Sequence, residues 1–291
     1  MIGITTYSDT KVIVESDASV GKGPVFDQRT GRLVWVDICR GQVFEDDLVT
    51  GDQQITTVPS MIGAVAPRES GSGFAAAVSD GFGFISNGRI QLADAVLPAP
   101  EFRMNDGKID SRGRFWAGSN EVSCAPGGGR LHRWDGERLS VVVAASLTLP
   151  NGLGWNAEDD VIYLTDSHAR TVYRAPYQPD EGRVGRLETF IAVEGPGVPH
   201  GLAVDAEGCL WVAIWGGCQL RRYDQSGRLT GIVPLPFSQP SSCAFGPDNW
   251  LYITSARSGL TAEKLAGEPL AGSVFAVDTG TKGVQAHPFR A

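Results

Sequence analysis

The sequence predicts an all-β fold, a six-bladed β-propeller. Three features point there: a repeat of about 40 to 48 residues, a composition rich in turn formers and bulky apolar anchors, and no long helical pattern. The 291 residues include 37 Gly, 17 Pro and 7 Trp. That balance favours many short strands joined by turns. No stretch longer than about ten residues keeps the 3.6-residue apolar period of a helix, and Gly or Pro interrupts nearly all of them.

Each repeat is a short apolar strand, a polar turn with Asp, Asn or Gly, and a second apolar strand with a central aromatic. The first copy is Gly23-Pro-Val-Phe-Asp27 followed by Arg32 to Asp37. The second, degenerate copy is Gly63-Ala-Val-Ala-Pro67 with Gly73 to Val78. The third is Gly107-Lys-Ile-Asp110 with Arg114 to Gly118, and the fourth Gly152-Leu-Gly-Trp-Asn156 with Val161 to Asp166. The fifth is Gly201-Leu-Ala-Val-Asp205 with Cys209 to Ala213, and the sixth Cys243-Ala-Phe-Gly246 with Trp250 to Thr254. The aromatic slot holds Trp35, Ala76, Trp116, Tyr163, Trp211 and Tyr252. Third strands are visible at Arg170 to Arg174 and Gln219 to Tyr223. Six copies leave little chain over and no low-complexity linker, so residues 1–291 are expected to form a single propeller domain.

The formal net charge is −8 and the 25 basic residues form no run. Nucleic acid and anionic membrane are therefore not expected as partners, because both need clustered Lys and Arg. No apolar stretch reaches the roughly 18 residues of a membrane helix. Met1 to Asp17 lacks a basic segment followed by an apolar one, so no secretory signal is expected. The five cysteines, Cys39, Cys124, Cys209, Cys218 and Cys243, are odd in number and form no Cys-x-x-Cys pair. They read as reduced thiols, and the chain as cytoplasmic.

In a propeller the innermost strand of each blade runs along the central channel. The residue just before that strand is expected to point into the channel mouth. In the six copies this slot holds Lys22, Ile62, Asp106 (with Asn105 beside it), Asn151, His200 and Ser241. Taken singly, Asn or Asp before Gly is also an ordinary turn residue. Five polar groups in one register point instead to a shared site. His132 reads as a strand residue and His168 as part of a blade turn, while Trp215 and Arg257 are candidates for the pocket wall.

These residues resemble the senescence-marker-protein, gluconolactonase and luciferin-regenerating-enzyme family, which includes regucalcin. The carrying segments are Gly21 to Asp27, Arg103-Met-Asn-Asp-Gly-Lys-Ile-Asp110 with Gly113 to Gly118, Leu149 to Trp155, Tyr163 to Ser167, and Pro199 to Gly208 with Leu210 to Ala213. The resemblance implies a six-bladed propeller, a divalent metal in the channel and, often, hydrolysis of sugar lactones. It also implies metal ligands at three slots, usually Glu, Asn and Asp. Here they hold Lys22, Asn151 and His200. The family's substrate-contacting Arg and Asn match Arg103 and Asn105, and a further substrate-contacting Glu matches Glu121.

Two ligand positions have thus lost a carboxylate, and one has gained an ammonium. A hard cation such as Ca²⁺ or Mg²⁺ takes six or more oxygens, largely anionic. A protonated lysine has no lone pair to offer. The sequence therefore predicts no cofactor. The alternative is one divalent ion in the channel, such as Zn²⁺ on Asn151, His200 and Asp106. The expected catalytic residues are Lys22, His200 and Asp106. Lys22 would polarise a carbonyl, or attack one as an amine with its pKa depressed beside Arg103. His200 would act as general base or acid. Arg103, Asn105, Asn151 and Glu121 are expected to bind substrate. The leading reading is a lactonase-like hydrolase of a small polar lactone bearing sugar hydroxyls or a carboxylate. The alternatives are a metal-independent isomerase, lyase or cyclase using Lys22 and His200 for proton transfer or Schiff-base chemistry, and a non-catalytic ligand-binding propeller. Oligomeric state is left open by the sequence.

Overall fold

A computed structural model describes residues 3–97 and 100–290. It forms the six-bladed propeller that the repeat predicts. The inner strands of the blades are Gly21–Asp27, Ile62–Pro67, Phe102–Ile109, Pro150–Trp155, Val198–Val204 and Pro240–Phe245. Each pairs antiparallel with the aromatic-bearing strand that follows it in sequence.

The ring closes by using the N-terminal segment in the last two blades. Thr10–Val14 forms the outer strand of the sixth blade, paired with Val274–Asp278. Thr5–Thr6 adds a parallel edge to the fifth blade. Both ends of the chain thereby share one sheet edge, which removes the open seam of a propeller. The short helix Ala262–Gly267 lies between the second and third strands of the sixth blade.

The core is a ring of interfaces. Six apolar clusters form among the described residues, and each joins two consecutive blades. The repeat's aromatics lie in them: Trp35, Trp116 and Trp211 are fully buried. A buried indole N–H needs an acceptor. Trp116 and Trp211 donate to Asp110 and Asp205, which close the first turn of their own blades. Each of these carboxylates also accepts two backbone amides of that turn and a charged arginine, Arg114 or Arg222. Asp205 is therefore a structural hub that ties turn, aromatic and third strand together, while Asp110 ties its turn and aromatic to Tyr177 of the next blade.

Two local devices shape the channel. Every inner strand has a register shift at its slot residue, as between Lys22 and Val25, Met104 and Gly107, and Pro199 and Leu202. A bulge re-aims a side chain out of the alternating pleat. The slot residues thus lie within their strands at a bulge, whereas the sequence reading set them just before the strand. The glycine after the slot is the second device. A Cβ on Gly152 would lie 2.3 Å from the Leu202 backbone nitrogen, and one on Gly63 2.6 Å from the Met104 carbonyl carbon. Only hydrogen fits there, so neighbouring inner strands approach closely and draw the slot residues together.

Candidate active site

Lys22 is the centre of the slot ring. Its side chain has no exposed surface. Its Nζ lies 2.5 Å from Asn151 Oδ1, 2.6 Å from His200 Nδ1 and 3.2 Å from the Ser241 carbonyl oxygen. Asp106 Oδ2 completes the shell at 3.1 Å. That last contact is an ion pair without hydrogen-bond alignment, and Asp106 Oδ2 has no other partner. Strands from four blades thus converge on one ammonium.

His200 is held from three sides. Nδ1 faces both Lys22 Nζ and, at 2.6 Å, the Ser241 carbonyl. Its ring stacks on Trp215 at 4.9 Å between centroids. His200 is 9% exposed, whereas Lys22 and Asn151 are 0% exposed. Within the Lys22–Asn151–His200 group, His200 is therefore the residue with residual exposure.

Burial dominates the titration of both residues. It lowers the Lys22 pKa to about 8, while the Asp106 carboxylate opposes the fall and the Arg103 charge adds to it. Burial also pushes His200 well below its ordinary value, and the Lys22 charge depresses it further. At neutral pH Lys22 is mostly charged and His200 is neutral.

Arg103 and Asn105 form a second layer. Arg103 Nη1 donates to Asn105 Oδ1 at 2.8 Å and to the Met104 carbonyl. Asn105 Nδ2 donates to the Pro150 carbonyl. Asn105 therefore fixes the guanidinium, whose remaining N–H groups stay available. Burial lowers the Arg103 pKa, a direction without consequence for a guanidinium near neutral pH.

Ser241, one of the slot residues, contributes no side chain to the ring. Ser241 turns its hydroxyl to the Gly21 carbonyl and Thr254, so only its backbone carbonyl faces Lys22. Glu121 ends its strand with a carboxylate oxygen on the Ser123 hydroxyl. The cross-strand partner of Arg103 is Asn120. Ile62 is buried in the apolar interface of the first two blades. His132 is buried against Ser119 with its pKa lowered to about 4 by desolvation, and His168 is exposed in its turn.

Three contributors escaped the sequence reading in whole or part. Ser167 Oγ accepts from Asn151 Nδ2 at 2.7 Å and donates to the Pro199 carbonyl, which aims the Asn151 oxygen at Lys22. Trp215 was foreseen as a wall but not as the stacking partner of His200. Asn120 is fully buried beside Arg103 with an unpartnered Oδ1. The signal for Ser167 and Asn120 lay only in strand register, since each ends a second strand opposite a slot.

Residues 20–257 match the model of the SMP-30/gluconolactonase/LRE-like region. The chain belongs to that family. It is 34% identical to the 6-deoxy-6-sulfogluconolactonase of Pseudomonas putida, over 94% of this chain and 96% of that one. It is also 34% identical to the pentonolactonase of Haloferax volcanii, covering 93% and 94% of the two chains. Among solved structures, a calcium-binding regucalcin from Agrobacterium tumefaciens superposes with a TM-score of 0.93 at 27% identity, over the full length of both chains.

The ring of this family member does not fit a hard divalent cation. Its convergence point is filled by the Lys22 ammonium, and Asp106 is the one carboxylate that faces it. A second cation there would meet the field of the first at contact distance. Among the described residues, the cluster of potential ligands is Asp205, Glu207 and Cys209, away from the ring. Its Asp205 carboxylate is already committed to Trp211 and Arg222.

Proposed function

We propose that this chain is a lactonase-like hydrolase of a small polar lactone, in which the Lys22–His200 pair replaces the metal. The observation that carries the reading is the 2.6 Å contact between Lys22 Nζ and His200 Nδ1 at the point where the slot residues converge. Lactonases at 34% identity over nearly the whole chain support the reaction class.

Proton bookkeeping at Nδ1 gives the mechanism. Nδ1 cannot accept from Lys22 and donate to Ser241 at once. With Lys22 charged, Nδ1 accepts from it and the imidazole proton sits on Nε2. With Lys22 neutral, Nδ1 carries the proton and donates to the Ser241 carbonyl. Nε2 is then bare and is a base. Loss of one proton from the pair therefore switches Nε2 from donor to acceptor.

Hydrolysis follows in two steps. Arg103 binds the lactone carbonyl oxygen, where negative charge develops. Bare Nε2 takes a proton from water as the water oxygen bonds to the carbonyl carbon. Nε2–H then returns that proton to the ring oxygen as the carbon–oxygen bond breaks, giving the hydroxy acid. Lys22 has no exposed surface, so it acts through His200 as a positioning and charge-setting residue. Attack by its amine on a substrate has no open path in this arrangement. The reading also places the chain in the cytoplasm, supported by five cysteines that all remain free thiols.

The test is turnover of a panel of sugar and carboxylate-bearing lactones by protein purified without a histidine tag and stripped with chelator. Turnover that survives chelation and is lost in His200→Ala supports the reading. Turnover that needs a stoichiometric divalent ion overturns the metal-free half. No turnover across the panel favours the second reading, proton transfer to and from carbon by the same pair, as in an isomerase or lyase.

A further inference from the structure

The other end of the channel contains a separate cavity of about 290 Å³. Inner strands of all six blades line it, and the C-terminal segment 284–287 passes across it. Backbone bonds pin that segment on both sides, from Val284 N to the Val204 carbonyl at 3.0 Å and from Phe289 N to the Pro67 carbonyl at 2.8 Å. The Phe289 ring, fully buried and stacked on Trp134, anchors the far end. The volume is at the low end for small-molecule sites, and most of the lining is apolar, from residues such as Val65, Leu153 and Ala203.

One cation in this wall lacks an acidic partner. Lys108 Nζ makes one hydrogen bond, 3.2 Å to the Leu202 carbonyl. No carboxylate of the described residues comes within ion-pair distance of it, and burial lowers its pKa. Asp106 lines the same cavity, but its carboxylate is drawn to Lys22 at 3.1 Å. Trp155 also lines the cavity. It is 7% exposed, and its indole Nε1 is buried with no acceptor. The repeat's own tryptophans do not share this fault, since Trp35, Trp116 and Trp211 each donate to a carboxylate. A half-buried ammonium with one hydrogen bond keeps donors free for a ligand's acceptor.

We propose that this cavity is a second ligand site, which takes a small carboxylate with a compact apolar body. The carboxylate pairs with Lys108, and the body fills the apolar remainder beside the Trp155 ring. The site is independent of the lactone chemistry, since none of its donors touches Lys22 or His200.

Benzoate is a suitable probe, with benzamide as the uncharged control. Isothermal titration should give one saturable site for benzoate in the wild-type protein and in His200→Ala, and at least about tenfold weaker binding of benzamide. Lys108→Met should weaken benzoate by at least about tenfold. Trp155→Phe should weaken it less, with the wild-type Trp fluorescence responding to benzoate. A crystal soaked with benzoate should place the carboxylate on Lys108. Absence of saturable binding to wild type overturns the proposal. So does binding that Lys108→Met leaves unchanged, or that His200→Ala abolishes. If Lys108→Met does not fold, the soaked wild-type crystal decides, and density elsewhere or none overturns the assignment.

Discussion

Lys22 Nζ lies 2.6 Å from His200 Nδ1, and both are enclosed by the same Ser241 carbonyl. Two nitrogen groups at this distance share a hydrogen only if one of them accepts. The protonation of Lys22 therefore dictates which nitrogen of His200 is basic.

Rate should follow that switch. Lys22 titrates near 8, so kcat/KM for lactone opening should rise with pH up to about that value and level off above it. Arginine at position 22 stays charged, so Lys22→Arg should lose the alkaline rise. A flat profile from pH 6 to 9 in the wild-type enzyme would contradict the mechanism.

Removing the imidazole tests the base itself. His200→Ala should lower kcat/KM by about 10²- to 10⁴-fold with far-ultraviolet circular dichroism unchanged. His200→Gln should be nearly as inactive, because an amide nitrogen is no base. Activity within a few-fold of wild type in either variant would move catalysis away from the ring.

Stability should report the buried ammonium as well. Its folded pKa is about 8 and its ordinary value 10.5. Between those values the unfolded chain binds more protons, so folding stability gains with rising pH. The destabilisation is fully present below about 8 and is relieved as pH rises towards 10.5. The wild type should gain about 3 kcal/mol relative to Lys22→Met across this window. Parallel urea-derived stabilities at pH 7.5 and 10.5 would measure it, and an unchanged difference would refute it.

Charge reversal should recreate a metal site. The double variant Lys22→Glu, His200→Asp restores the carboxylates that the family resemblance implies, with Asn151 already in place. It should bind one equivalent of Ca²⁺ by titration calorimetry, whereas the wild type should bind none at that point. Equal uptake by both proteins would show that the ammonium does not control occupancy.

The Asp205 hub should be structural. Its carboxylate is fully buried and accepts from Trp211, Arg222 and two turn amides. Asp205→Ala leaves the indole N–H and two turn amides without their acceptor and Arg222 with Glu207 alone, and should cost about 2 to 3 kcal/mol in denaturant unfolding. A loss below about 1 kcal/mol would contradict the hub role.

Much of this was legible in the chain. The spacing of Trp35, Trp116, Tyr163, Trp211 and Tyr252 gave six blades, because a blade's length is set by four short strands and their turns. The shared register of Lys22, Asp106, Asn151 and His200 named the ring, because a repeat places equivalent residues at equivalent points around an axis. The direction of the Ser241 hydroxyl was not legible there. Which way a side chain turns at a strand end or bulge depends on the neighbouring blade, and pattern alone does not carry that information.

The sequence by itself determined the propeller, the family and the exchange of two expected carboxylates for Lys22 and His200. Those are properties of residue identity and period, which are local and linear. Only the tertiary structure decided that Lys22 has no exposed surface, that His200 Nδ1 faces both Lys22 and the Ser241 carbonyl, and that Lys108 and Trp155 line a second cavity. Each of these depends on burial and on partners from strands 40 or more residues apart, and desolvation acts on a group only once those strands have closed around it.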